Sequence, residues 1–103
     1  MGRINRNIME NKVEKKITSK LWKAFSFFDS PNKAQTFWEK FLTTSEIVIL
    51  SKRLEIFRMA IEKKPYETIK DRLKVSANSI SRAQNTLRKH GSSLAKTILR
   101  LTS

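Results

Sequence analysis

Tyr66–Leu87 reads YETIKDRLKVSANSISRAQNTL. Tyr66, Ile69 and Leu73 recur at i, i+3 and i+7, the spacing of one face of a short helix. Lys74-Val75-Ser76 breaks that pattern, and Ser76 suits the N-cap of a second helix that runs through Arg88. Ile80, Ala83 and Leu87 give the second helix an inward face. Two short helices joined over a three-residue turn make a helix-turn-helix. Val75, branched and just past the first helix, can plug the angle between the two. Ile80 is spaced to meet Ile69 and Leu73. With Ile80 at the centre of the buried face, Asn78, Arg82, Asn85 and Lys89 point the opposite way, with Ser79 and Ser81 on the flanks. Every one of these residues forms hydrogen bonds, and none is acidic.

That face carries the chemistry of the DNA major groove. Asn78 can pair bidentately with adenine, and Arg82 can read guanine or hold a phosphate. Short serines let the helix approach closely. Lys70, Arg72, Lys74, Arg88 and Lys89 surround the unit and suit phosphates. The expected DNA-contacting set is Lys70, Ser76, Ala77, Asn78, Ser79, Ser81, Arg82 and Asn85. A plainer reading is a solvated helix face that contacts nothing. The turn pattern and the charge together favour DNA. Lys74 stands where a turn commonly has glycine, and Lys70 where a small residue is common, but the Lys70 stem can extend past the contact.

The composition agrees. Lys and Arg number 22 against 9 Asp and Glu, a net charge of +13, which draws polyanions to a chain of 103 residues. An acidic membrane surface is the second candidate partner. Hydrophobic residues make up 39%, enough to exclude a wholly disordered chain, and two Gly with two Pro favour helices over strands. The absence of cysteine, with a single histidine, excludes disulfide frameworks and, in practice, zinc fingers, so no metal is expected. No apolar run approaches the ~20 residues that span a bilayer, and the basic N-terminus is followed by no apolar segment. The expected location is cytoplasmic, at the nucleoid. An enzyme is not expected: there is no Gly-rich loop and no pair of carboxylates on an apolar face. An architectural protein that binds nucleic acid by charge alone, without sequence preference or effector, is the competing reading.

Outward from the central stretch, the rest of the chain also reads as helix. Residues 1–10 read as a flexible basic arm, and residues 11–103 as one domain with the DNA reader at 66–90. Val13, Ile17, Leu21, Phe25 and Phe28 stripe a helix from Asn11 to Phe28, suited to packing against a partner helix. Ser30 and Pro31 start a second helix of about eleven residues with Ala34, Phe37, Trp38, Phe41 and Leu42 on its apolar face, apolar enough to demand burial on both sides. Thr43 and Glu46 form a capping-box pattern ahead of a third helix striped by Ile47, Leu50, Leu54, Phe57 and Ile61, ending near Pro65. His90-Gly91 stops the reader helix, and a last helix begins at Ser92 or Ser93. The total is six helices and no strand.

Phe41-Leu42-Thr43, Arg53-Leu54 and Leu73–Leu87, above all Ile80-Ser81-Arg82 and the Asn85-x-Leu87 ending, resemble the Trp repressor family over Phe37–Ser93. The resemblance implies an all-α, six-helix Trp repressor-like fold in an intertwined homodimer, with two readers entering successive major grooves. It implies a homodimeric transcriptional regulator of double-stranded DNA, a repressor, with L-tryptophan or another small ligand as corepressor. It carries a ligand site onto Leu42, Thr43, Arg53, Ser79, Arg82, Ala83 and Thr86. Arg53 and Arg82 match the arginines that sandwich the indole ring, and Thr43, Ser79 and Thr86 match hydroxyl positions. Ala83 departs from the family pattern: tryptophan-responsive members have glycine there, and the added methyl is expected to crowd the pocket.

Overall fold

The computed structural model describes residues 8–103, the side chains of residues 8–10 excepted. Among the described residues there are five helices and no strand: α1 (Ile8–Phe27), α2 (Pro31–Trp38), α3 (Thr44–Ile61), α4 (Tyr66–Leu73) and α5 (Ala77–Leu101). They fall into two compact units, Met1–Phe41 and Leu42–Ser103.

In the first unit, residues 1–7 of the expected arm lie outside the described residues. Residues 8–10 are already helical, because no breaker separates Ile8 from the striped segment. Ser30 caps α2 by accepting from the Lys33 amide at 3.2 Å, and Pro31 takes the first helical position. The α1–α2 hairpin is zipped by rings: Phe25 stacks on Trp38 at 4.4 Å, and Phe28 meets Phe37 at 5.1 Å. α2 is shorter than the sequence spacing suggests. It stops at Trp38, where the amides of Lys40 and Phe41 turn to the carbonyls three residues back. Nor is it buried on both sides: none of its residues is buried, and Phe41, just past its end, is 66% exposed; α1 also leaves Ile17 and Trp22 open, at 60% and 65%.

The second unit is built on one core. Met59 of α3, Ile69 of α4 and Ile80 of α5 have no exposed surface, and Ile56 and Ala83 join them. Phe57, Tyr66, Leu73 and Val75 pack against this cluster, so Val75 does fill the angle of the turn. The fully buried residues of α3 are therefore Ile56 and Met59, and of the stripe expected from Ile47, Leu50, Leu54, Phe57 and Ile61 it is Phe57 that packs against the core. Leu50 and Leu54 are 47% and 41% exposed, and Val48 and Ile49 are open as well. α3 is apolar on two faces, and a single chain covers one.

Local chemistry sets the ends of these helices. Thr43 and Glu46 exchange hydrogen bonds of 3.0 and 2.8 Å, a complete capping box at the start of α3. At its other end Lys63 adopts a left-handed conformation (φ 63°). The Lys63 amide donates to Ala60 and the Lys64 amide to Met59, the paired bonds of a Schellman turn. The expected sixth helix is the part of α5 beyond Gly91: α5 is two helical runs joined across a kink at that residue, with helicity resuming at once after it. That residue interrupts α5 at φ 70° and ψ −157°, a region essentially restricted to glycine. In the last turn of α3, the Arg58 guanidinium donates to both Glu55 and the C-cap residue Glu62. The hydrogen bond from Arg58 holds the Glu55 carboxyl below its ordinary value of 4.5 against the opposing effect of partial burial, and Arg72 of α4 adds to the pull.

Two consequences are measurable. A Cβ at Gly91 meets no atom within 4 Å, so Gly91→Ala is predicted to act through backbone strain alone, lowering the unfolding free energy by about 1–3 kcal/mol in urea titration. A carboxylate whose folded value is depressed stabilises the fold above its unfolded value and loses that contribution as pH falls through the folded one. Thermal unfolding from pH 6 to 3 is therefore predicted to show a shallower acid loss for Glu55→Gln than for the parent chain.

Candidate DNA interface and ligand cleft

The reader helix starts at a cap that fixes its direction. Ser76 is extended (φ −81°, ψ 159°) and its hydroxyl accepts from the Ser79 amide at 3.2 Å, with the two hydroxyls 3.1 Å apart. Before it, Lys74 closes α4 in the left-handed region (φ 55°, ψ 53°), its amide donating to the Lys70 carbonyl at 2.9 Å. A lysine where glycine is favoured costs roughly 1–2 kcal/mol of backbone strain, and the turn forms nonetheless because Val75, Ile69 and Ile80 hold both sides of it.

Burying Ile80 turns the polar face outward. Ser76, Ala77, Asn78, Ser81, Arg82, Asn85 and Lys89 are exposed, Ser79 is half-buried, and Lys70 is exposed on the last turn of α4. The eight residues expected at DNA therefore lie on α4, the turn and the first turns of α5. Among the described residues, Lys70, Lys74, Arg82, Arg88 and Lys89 form no ion pair, since the ion pairs present are Lys33–Asp29 and Arg58 with Glu55 and Glu62. α5 contains no acid at all. The Asn85 side-chain carbonyl accepts from the Arg88 guanidinium, which leaves its amide hydrogens free to donate.

Behind this face, α3 and α5 enclose a cleft of about 140 Å³ lined by Arg53, Ile56, Phe57, Ser79, Arg82, Ala83 and Thr86. Five of the seven expected ligand residues meet there. Leu42 and Thr43 do not line it: Thr43 is committed to the cap of α3, and ten residues of helix, about 15 Å, separate it from Arg53. Ile56 and Phe57 were not anticipated in the cleft, although they follow Arg53 at i+3 and i+4 and so share its face. Arg53 is not paired with a neighbouring acid, because Glu46 serves the capping box and Glu55 serves Arg58. The Thr86 hydroxyl donates to the Arg82 carbonyl at 2.8 Å, and Ala83 is 3% exposed on the cleft floor. Arg82 and Ser79 belong to both sets: Arg82 is exposed on the reader, Ser79 is half-buried at its start, and both line the cleft.

A capped turn that presents a basic, acid-free helix from an all-α core defines a helix-turn-helix DNA-binding regulator. The family model for the Trp repressor protein matches residues 17–102, and the chain belongs to that family, whose members are regulators of transcription rather than enzymes. No curated protein and no solved structure matches the chain. Among the described residues no helix is long and apolar enough to cross a membrane, and no group of acidic or imidazole side chains is arranged to hold a metal ion.

Proposed function

We propose that the chain is a sequence-specific repressor that acts as an intertwined homodimer on double-stranded DNA, in the cytoplasm at the nucleoid. The carrying observation is the exposed, acid-free face of α5 behind a fully buried Ile80. Asn78 and Arg82 read base edges, Ser76, Ala77, Ser79 and Ser81 permit close approach, Asn85 donates from the far end of the face, and Lys70 holds phosphate.

Pairing is supported by what one chain leaves open. Val13, Ile17, Leu21 and Phe25 of α1 and Val48, Ile49, Leu50 and Leu54 of α3 are each at least 39% exposed, and an apolar surface that extensive marks an interface. The buried Trp38 indole N–H has no acceptor among the described residues, which a second copy can supply. Two-fold pairing sets two readers about one helical turn of DNA apart.

The Arg53–Arg82 cleft is the candidate effector site. Two unpaired guanidiniums flanking an apolar floor suit a planar ring bearing a carboxylate, as in L-tryptophan. At about 140 Å³ the cleft falls well short of the ~300 Å³ at which small-molecule sites begin. The Ala83 methyl occupies the space that the family's glycine leaves open. In this reading a second copy, bringing its own Leu42 and Thr43, completes the walls, and Ala83 governs whether tryptophan fits.

Gel shifts over a salt series with genomic fragments test the DNA reading. Arg82→Ala is predicted to weaken the preferred fragment by about 1–3 kcal/mol while leaving unrelated duplexes nearly unchanged. Equal losses on both would move Arg82 to a phosphate role, and a parent chain with no preferred fragment at any salt concentration would leave only charge-driven binding. Calorimetry with L-tryptophan is predicted to give little heat with the parent dimer at millimolar ligand and a measurable enthalpy with Ala83→Gly. Heat from neither would remove tryptophan as the effector.

A further inference from the structure

A second cleft, of about 630 Å³, opens in the Leu42–Ser103 unit between the C-terminal turn of α3 and the Gly91 interruption of α5. It shares no lining residue with the Arg53–Arg82 cleft. On α5 it is lined by Gln84, Leu87 and Arg88, a stripe displaced by one residue, about 100° round the helix, from Ala83 and Thr86. Its size lies within the ~300–1,000 Å³ of ordinary small-molecule sites.

The lining has one sign of charge. Lys63, Lys64 and Arg88 contribute three cations, no acid lines the cleft, and none of the three forms an ion pair among the described residues. Ile61, Leu87 and Ala95 supply an apolar wall. The adjacent end of α3 does not cancel this charge, since the Met59 and Ala60 carbonyls are engaged by the Schellman turn. Both backbone outliers of this region, Lys63 at φ 63° and Gly91 at φ 70°, line the same cleft. Lysine is a strained choice for a left-handed position that glycine would fill freely, and such strain collects at functional sites.

We propose that this cleft binds a small organic anion with an apolar body. The anionic group is held by Lys63, Lys64 and Arg88, and the body lies against Ile61, Leu87 and Ala95. The site shares no residue with the Arg53–Arg82 cleft or with the eight residues expected to contact DNA, and only Arg88 with the surrounding phosphate-suited cations, so its failure leaves the DNA reading untouched.

Amide NMR titrations of the full chain with 4-phenylbutyrate, and separately with inorganic phosphate, test it. Saturable shifts are expected at Lys64 and along residues 87–95, with 4-phenylbutyrate bound more tightly than phosphate because of the apolar wall. Lys63→Gly relieves the left-handed strain, so its melting temperature should rise while its affinity for 4-phenylbutyrate falls about two- to fivefold, the loss of one partly exposed charge contact. Arg88→Gln should weaken binding to a similar extent. No saturable shift at millimolar anion, equal affinity for the two anions, shifts centred on Arg53 and Arg82, or unchanged affinity in Lys63→Gly would each overturn the proposal.

Discussion

Met59, Ile69 and Ile80 meet with no surface left to solvent, and each comes from a different helix. That three-way contact is the constraint on which the functional surface depends. It locks α4 and α5 to α3 and fixes the rotation of α5 about its own axis. Once Ile80 is inward, the helical period leaves no choice about Asn78, Arg82 and Asn85, which must face out. Burying a residue of this size contributes about 1.5–3 kcal/mol, more than the cost of the left-handed lysine in the turn. The reader is thus held by its core, and its turn follows.

Electrostatics divides along the same lines. Acids of the long helix are spent internally, Glu46 on a cap and Glu55 and Glu62 on Arg58. This leaves Lys70 of α4 and the cations of the acid-free α5 without an ion-pair partner among the described residues, directed at whatever polyanion approaches. Arg82 sits where two such demands intersect. In the proposed reading, in which Arg82 both lines the cleft and reads DNA, a cleft occupant would bias its rotamer and so couple ligand to DNA affinity.

Much of this architecture was legible from residue spacing. The capping box at Thr43, the cap at Ser76, the plug at Val75 and the inward Ile80 are local features, decided by neighbours within a few residues, and each appears where the pattern put it. The interruption of α5 also falls on the predicted glycine, and helicity resumes directly after it, where the last helix was expected to begin. Features that depend on distant residues were less readable. The stripe of α3 misled because this helix is apolar on two faces, and periodicity cannot say which of them meets α4 and α5. α2 ends early at Trp38 because its aromatic run carried the apolar period past the point where the backbone turns. In the ligand set, Arg53, Ser79, Arg82, Ala83 and Thr86 converge on one cleft, while Leu42 and Thr43 lie a helix length away. Residue-by-residue likeness to a family does not say which chain of a pair supplies each wall.

The central claim is that two copies of this chain present paired readers to a defined DNA sequence. Repeated selection of bound duplexes from a random-sequence library, followed by sequencing, addresses it most directly. The account predicts enrichment of a two-fold symmetric motif whose half-sites are centred about one helical turn apart. Enrichment of no motif, or of a single half-site without its symmetric partner, would contradict it.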